Sequence, residues 1–431
     1  MIQNGKKYDV IIAGGGTAGV SCAWNCAKMG LKTLIVEQNS FLGGTMTSSL
    51  VVPAMKTSEN AINTDFFDVL YKKLKSMGGA ITYSDGNRGW FNPELTKIAL
   101  DTLMQEAGVE ICFESRINNI NKDADRILSI SIESIYSNNI NLDKEMLSIP
   151  IESIYFVDAT GDGNFCKKIG AKFLGVNDIN ETQPVSLRFI MSGVNTEKFA
   201  SWLMEYDKNR DVTTSCIADG KTYVSTAYTW DNNIEWALKP LFARALKEGT
   251  LKEADTNYFQ IFSIAGTADS IAFNAPRMLD KNLSRTELYI QGRASILRLS
   301  EFCKKYLTGF ENAHISSIAN SIGVRISSRV QGKYIYKYED LISGKKFEHE
   351  VLASNYPVDI HSNKKDSSTL EKTLQDYYLP IESLMVDGFE NVFVIGRCIS
   401  ADFKAQAALR IIPSCFSMGE GLAKFLAGYI N

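Results

Sequence analysis

The residues best placed to do chemistry form a glycine run and an acid that follows it. Gly14-Gly15-Gly16-Thr17-Ala18-Gly19 has the spacing G-x-G-x-x-G, and Glu37 stands at the end of the next apolar segment. If the run closes a strand and opens a helix, each glycine has its own task. Gly14 permits a tight turn, Gly16 lets backbone approach a diphosphate, and Gly19 lets the helix lie against the strand. The helix start then offers free N–H groups and the positive end of its dipole to phosphate. Glu37 is placed to accept hydrogen bonds from ribose hydroxyls, which favours FAD or NAD over NADP. The plainer alternative, a sharp turn followed by a solvated acid, leaves the whole strand–glycine–helix–strand–acid order unexplained.

Other side chains have reactive types but weaker patterns. Arg277, Arg325, Arg329 and Arg410 are the cations able to clamp an anionic substrate, with salt bridging as the plainer role of each. His361 is a candidate acid or base, or else a hydrogen-bonded structural residue; His314 and His349 read as structural or exposed. Asp158 and Asp162 look paired, but their glycine neighbours favour a turn and a cofactor role over acid–base work. The eight cysteines include no CxxC pair, and the three histidines form no HExxH, so no metal or iron–sulfur site is expected. Cys22 and Cys26 read as small packing residues beside Ala23 and Ala27.

The elements that must position these residues follow from hydrophobic period and turn chemistry. Tyr8–Ala13 and Leu31–Glu37 are short apolar runs that predict buried parallel strands, with Thr17–Met29 as the crossover helix and Gly30 as its stop. Phe66, Leu70 and Leu74 predict one face of a helix over 61–77. Asn92-Pro93-Glu94 opens another that ends near Gly108, followed by a strand at Val109–Phe113. Arg116–Ile154 alternates as an antiparallel meander, and Ser153–Val157 is a further buried strand running into Asp158-Ala-Thr-Gly-Asp-Gly163. Helices are expected around 235–248 and 285–307, an alternating segment at Val185–Met191, and a polar surface loop over 355–375. Asn391–Ile395 predicts a strand and Ser414–Tyr429 a closing helix.

Composition narrows the function classes. Of 431 residues, 45% are hydrophobic and 22% charged, enough for a sizeable core and too apolar for wholesale disorder. Lys and Arg number 46 against 49 Asp and Glu, a net charge of −3, so the basic excess of a nucleic-acid binder is missing. The polar start and short apolar run of the first residues match neither a signal peptide nor a membrane span, and a cytoplasmic location is expected.

Together these residues carry a resemblance. The chain resembles the FAD-dependent oxidoreductases of the glutathione-reductase-like, two-domain class. Phe41-Leu-Gly-Gly44, Asp158–Gly163, Gly309–Ala313, Tyr356–His361 and Gly396–Ser400 with Arg410, Pro413 and Cys415 are similar, in order, to motifs of one bacterial family of that class. The resemblance implies a non-covalent FAD. It implies cofactor contacts at Gly14, Gly16, Thr17, Ala18, Gly19, Glu37, Gln38, Gly43, Gly44 and Thr45. Further along the chain it implies Arg116, Ile117, Ala159, Thr160, Gly161, Gly396, Arg397 and Pro413. An arginine replaces the more usual acid after Gly396, suggesting charge pairing with phosphate. The helix after Ile411 is expected to point its positive end at the flavin, which makes Arg410 the first candidate for holding substrate and Arg325 the next. The resemblance is incomplete at Val324-Arg325-Ile326-Ser327-Ser328-Arg329, where the family commonly has V-R-E-S-R-R.

The expected fold class is α/β: a discontinuous Rossmann-like FAD/NAD(P)-binding domain (1–180 and 358–431) carrying an inserted α+β substrate domain (181–357). The expected function is an FAD-dependent oxidoreductase acting on a small organic substrate, anionic if the arginines clamp it, with the electron acceptor undetermined. Two rivals stand beside it: a flavin-bearing electron-transfer subunit like that of heterodisulfide reductases, and a flavin-dependent RNA-modifying protein. The first would need a partner supplying iron–sulfur clusters, and the second a basic surface.

Overall fold

Strand β1 (Lys7–Ala13) forms where a run of β-branched residues meets three glycines, and helix α1 (Thr17–Lys28) starts directly after Gly16. Strand β2 (Thr33–Val36) returns parallel to β1, with Val10 opposite Thr33 and Ala13 opposite Val36. The computed structural model describes residues 6–134, 150–175, 183–228, 236–278, 283–361 and 369–430. Within them the parallel sheet runs 110–112, 33–36, 7–13, 151–158, so β1 is central and buried on both faces.

Strand Ile151–Asp158 has two neighbours on its other edge. Its first residues pair antiparallel with the hairpin arm Arg126–Ser134, and Phe156–Asp158 pair in parallel with Val392–Val394. The sheet is thus completed by a strand from the far end of the chain. Helix Ile412–Ile430 then packs on α1 so closely that a Cβ at Gly419 would collide with Ala18 O. Phe66, Leu70 and Leu74 of helix Asp65–Ser76 are buried against the same layer, each contributing about 1.5–3 kcal/mol. Asn92 caps helix Pro93–Ala107 by accepting from Glu94 N–H and Leu95 N–H, and Gly108 ends it in the left-handed region.

A second sheet is antiparallel and six-stranded, in the order 213–218, 221–228, 259–263, 271–273, 189–192, 314–318. Its aromatic core stacks Phe189 on Phe273 at 4.3 Å, with Phe259, Phe302 and Phe310 around them. Helix Arg285–Tyr306 covers it and begins with a capping box between Ser284 and Glu287. The whole is a mixed α/β architecture with a Rossmann-like parallel sheet.

Three expectations need revision. Val185–Met191 is not one strand: Val185–Ser186 pairs with Arg277–Met278, while Phe189–Ser192 belongs to the six-stranded sheet, and Leu187-Arg188 makes the switch. The segment 355–375 is not simply a polar loop. Val358–Ile360 pairs with Thr369–Glu371, and Asp359 and His361 are turned inward, the latter 14% exposed at its side chain. The meander holds as the hairpin 115–123/126–134, but its stretch 135–149 lies outside the described residues, as do the proposed boundary at 180/181 and the loop centre 362–368.

Candidate cofactor and substrate site

The glycine run behaves as its spacing predicts. A Cβ at Gly14 would come within 2.7 Å of Ala159 O, and one at Gly19 would collide with Gly14 O, so both positions are closed by backbone. Gly16 differs. A Cβ there would meet nothing nearer than Ala159 O and Gly44 Cα, both 3.8 Å away, so the protein itself would accommodate a side chain at this position. Helix α1 has no side-chain cap and no acid in its first turn, which leaves the N–H groups of Thr17, Ala18 and Gly19 available. The second glycine turn is strapped to the first by Gly43 N–H donating to Gly15 O at 2.9 Å. Gly44, at φ +54°, sits over Gly16, with Thr45 following in a short turn.

Glu37 closes the other side. It is buried, its Oε2 accepts from Gly15 N–H at 2.7 Å, and its Oε1 accepts from Asn39 N–H and Nδ2–H at 2.8 and 2.6 Å. Burial pushes its carboxyl above the ordinary range, against the pull of these donors. Ser115 N–H donates to Glu37 O, which brings Arg116 and Ile117 beside it; Gln38 and Arg116 are exposed and Ile117 is buried.

Asp158 and Asp162 do not pair with each other. Asp158 is fully buried and accepts from Thr160 N–H, Thr160 Oγ1–H and Cys166 N–H, shaping the turn that carries Ala159, Thr160 and Gly161. Arg397 spends its charge on protein: Nη2 pairs with Asp162 at 2.7 Å, Nε donates to Gly161 O and Nη1 to Val324 O. Arg397 thereby stitches two loops together, and the phosphate pairing expected of it would use the N–H groups that these contacts leave. Gly396 packs against Ala18, and Pro413 lies in the first turn of the closing helix. The cradle suits a dinucleotide diphosphate: uncapped helix N–H groups, a space at Gly16 that a side chain would fill, and a buried acid at the far strand end.

A second constellation lies next to it. Gln406 Nε2–H donates to both Arg397 O and Arg325 O, tying the cradle to a buried group of arginines. Arg325 donates from Nη1 to Pro184 O at 2.6 Å and from Nη2 to Ser186 Oγ at 3.1 Å. Ser186 pairs across the short ladder with Arg277, whose guanidinium lies 3.7 Å from the centre of the Tyr258 ring. Helix Phe403–Leu409, capped by Asp402, ends at Arg410, which donates to Asp359 O at 2.9 Å and reaches Asp359 Oδ2 at 3.5 Å. His361 directly follows the strand Val358–Ile360 that carries Asp359, and its Nε2 lies 3.1 Å from Asp359 Oδ2. His361 Nδ1 lies 2.8 Å from Arg277 Nη2.

Burial dominates the electrostatics here. It pushes Arg277 and Arg188 down to about 10 and Arg325 well below its ordinary value, with the neighbouring arginines adding to the effect. Burial, then Arg325 and Arg277, hold His361 well below the usual imidazole range, so the ring is neutral near pH 7. Burial pushes Asp359 up, but His361, Arg410 and Arg325 together hold it well below the carboxylate range. Guanidinium only donates, so Nδ1 of His361 accepts and Nε2–H donates to Asp359. Both ring nitrogens are thereby occupied, and His361 acts as a link that orients Arg277 rather than as a free base.

Of the arginines singled out from sequence, Arg277, Arg325 and Arg410 converge here. Arg329 does not: it donates to Ala401 O and Gly175 O. Sequence reasoning missed Arg188, Tyr258 and Asp359. The available signal was Arg188 itself, a lone charge inside the apolar run Val185–Met191. Among the described residues no cluster of three or more His, Cys, Asp or Glu could hold a metal ion, and no helix is long and apolar enough to cross a membrane.

A Rossmann-like sheet with this glycine cradle defines a dinucleotide-binding enzyme class. The chain belongs to the family of FAD dependent oxidoreductases, which it matches over residues 9–429. It is similar to thiamine thiazole synthase of Aeropyrum pernix, 56% identical over 38 residues, or 9% of this chain and 14% of that protein. It is also similar to mitochondrial glycerol-3-phosphate dehydrogenase of Rattus norvegicus, 42% identical over 48 residues, or 11% of this chain and 7% of that one. The matches thus span a small part of either relative's length. Among solved structures, a geranylgeranyl bacteriochlorophyll reductase-like protein from Thermoplasma acidophilum aligns with TM-score 0.47 at 14% identity, covering 99% of this chain and 79% of that chain. The cofactor is FAD, and the protein is an FAD-dependent oxidoreductase.

Proposed function

We propose that this enzyme exchanges a hydride or electrons between its flavin and a small anionic organic substrate held by Arg277, Arg325 and Arg410. The observation carrying this reading is the buried arginine group, set against one carboxylate, Asp359, and joined through Gln406 to the cofactor cradle. FAD supplies the redox chemistry, and the residues Gly14–Gly19, Glu37, Gly43-Gly44, Ala159–Gly161 and Gly396 would hold it without a covalent bond. The protein's own part is binding and orientation. The arginines fix an anion in a site poor in water, where their attraction is strong. His361 and Asp359 hold Arg277 and Arg410 in place. The glutathione-reductase-like class, with domains 1–180 and 358–431 for the cofactor and 181–357 for substrate, is part of the same proposal. It fits a sheet built from both ends of the chain.

The test is anaerobic: purified enzyme is mixed with organic anions and with their uncharged amides or esters, and bleaching of the oxidised flavin band is followed. Faster bleaching by anions is expected. Reduction by the neutral analogues alone would remove the arginine group from the substrate site.

A further inference from the structure

The hydrogen-bonding capacity of the arginine group is spent unevenly. Arg325 commits two nitrogens to Pro184 O and Ser186 Oγ, Arg277 gives one to His361, and Arg410 gives one to Asp359. The buried Nε atoms of Arg277 and Arg410 find no acceptor. The side chain of Arg188, a residue only 9% exposed, makes no hydrogen bond or ion pair among the described residues, and its nitrogens are not among the fully enclosed ones. Its place is kept by Gly323, where a Cβ would come within 2.6 Å of its Nη1. Gly323 bridges to Ser186, which accepts from Arg325 and lies opposite Arg277 in the short ladder, so Arg188 beside it belongs to the same group. A guanidinium largely withdrawn from bulk water and without an acceptor of its own offers its whole donor fork to a ligand.

Two sets of donors are therefore left over: the fork of Arg188, and the Nε edges of Arg277 and Arg410. The charge is also lopsided, four guanidinium groups against Asp359 among the described residues. A monoanion would fill one donor set and leave the other bare.

On the reading that this group is the substrate site, we propose that the substrate is a small dicarboxylate, with one carboxylate on the Arg188 fork and the other on Arg277 and Arg410. The planar fork pairs with a carboxylate through two parallel N–H bonds, which makes Arg188 the residue that selects for the second acid group.

The experiment measures binding of malonate, succinate and glutarate to the oxidised holoenzyme, beside monocarboxylates of equal chain length and inorganic phosphate. Perturbation of the flavin spectrum and thermal denaturation are the readouts. A dicarboxylate is expected to bind at least about tenfold more tightly than its monocarboxylate partner. Arg188→Met should erase that preference while FAD stays bound, and Arg188→Lys, which keeps the charge without the fork, should retain part of it. A preference that survives Arg188→Met, or phosphate bound above every dicarboxylate, overturns the proposal. Equal binding of mono- and dicarboxylates that depends on Arg410 overturns it but spares the anionic-substrate reading. No response to any anion overturns both.

Discussion

His361 Nδ1 sits 2.8 Å from Arg277 Nη2, and because the guanidinium can only donate, this single contact fixes the tautomer of the ring. The other nitrogen must then carry the proton that faces Asp359, 3.1 Å away. An aspartate, a neutral imidazole and an arginine form one chain of hydrogen bonds in which the histidine passes orientation, not protons.

The pH dependence follows from that chain. Burial and the adjacent Arg325 and Arg277 hold His361 well below its ordinary value of 6.5, so the unfolded chain binds a proton there that the folded chain refuses. Unfolding then takes up a proton, and stability falls as pH drops below about 6.5. Melting temperatures between pH 7.5 and 5.5 should show this decline, with a shallower slope for His361→Asn. Equal slopes for the two proteins would mean that the histidine already titrates normally in the fold.

Gly16 and Gly19 should separate ligand exclusion from chain packing. Gly16→Val adds a side chain where the nearest protein atoms are 3.8 Å from its Cβ, so it should fold and lose FAD. Gly19→Ala drives a methyl into Gly14 O and should destabilise the fold itself, by about 1–3 kcal/mol. Circular dichroism melting together with the visible spectrum distinguishes the two outcomes. A yellow, stoichiometrically loaded Gly16→Val protein would contradict the cradle.

Arg397 is predicted to act through loops rather than on phosphate. Arg397→Met removes the guanidinium from Gly161 O, Val324 O and Asp162, leaving Ser327 Oγ–H as the remaining donor to Gly161 O, and FAD affinity should fall by about 1.5–3 kcal/mol. Asp162→Asn should cost less, since the Asp162 side chain is 42% exposed and its attraction is screened. Flavin fluorescence on dilution measures both. A larger loss from the aspartate change would show that Arg397 had been serving the cofactor directly.

Arg410→Met should keep the flavin spectrum and slow substrate-driven bleaching roughly ten- to hundredfold, the loss of one charge-assisted hydrogen bond. Stopped-flow reduction by the substrate found in the anion screen gives the number. Released FAD would instead make Arg410 part of the cofactor's support, and unchanged bleaching would place the substrate elsewhere.

The cofactor half of the molecule was legible because its signals are local. Gly14–Gly19, Glu37 and the flanking apolar runs lie within one strand–helix–strand unit, and Asn92-Pro93 announces its helix unaided. The arginine group was not, because Arg188, Arg277, Arg325, Asp359 and Arg410 come from five distant segments that only the tertiary fold unites. Arg325 and Arg329 look alike in sequence. They part company because Arg329 joins the short ladder with Leu174, while Arg325 turns towards Pro184 and Ser186. The polar composition of 355–375 suggested a surface loop, yet the strand Val358–Ile360 and the residue after it turn Asp359 and His361 inward against each other.

The pairing of Val392–Val394 with Phe156–Asp158 also sets a timetable. On a ribosome delivering roughly 5–20 residues per second, the earlier strands are made long before the one that completes their sheet. The helix whose Gly419 nests on Ala18 emerges later still. Until then the parallel strands have an open edge, and α1 lacks the partner that covers its small-residue face. The second sheet is thus free to form before the first is completed, and the glycine cradle gains its last supports only well after its own residues have been made.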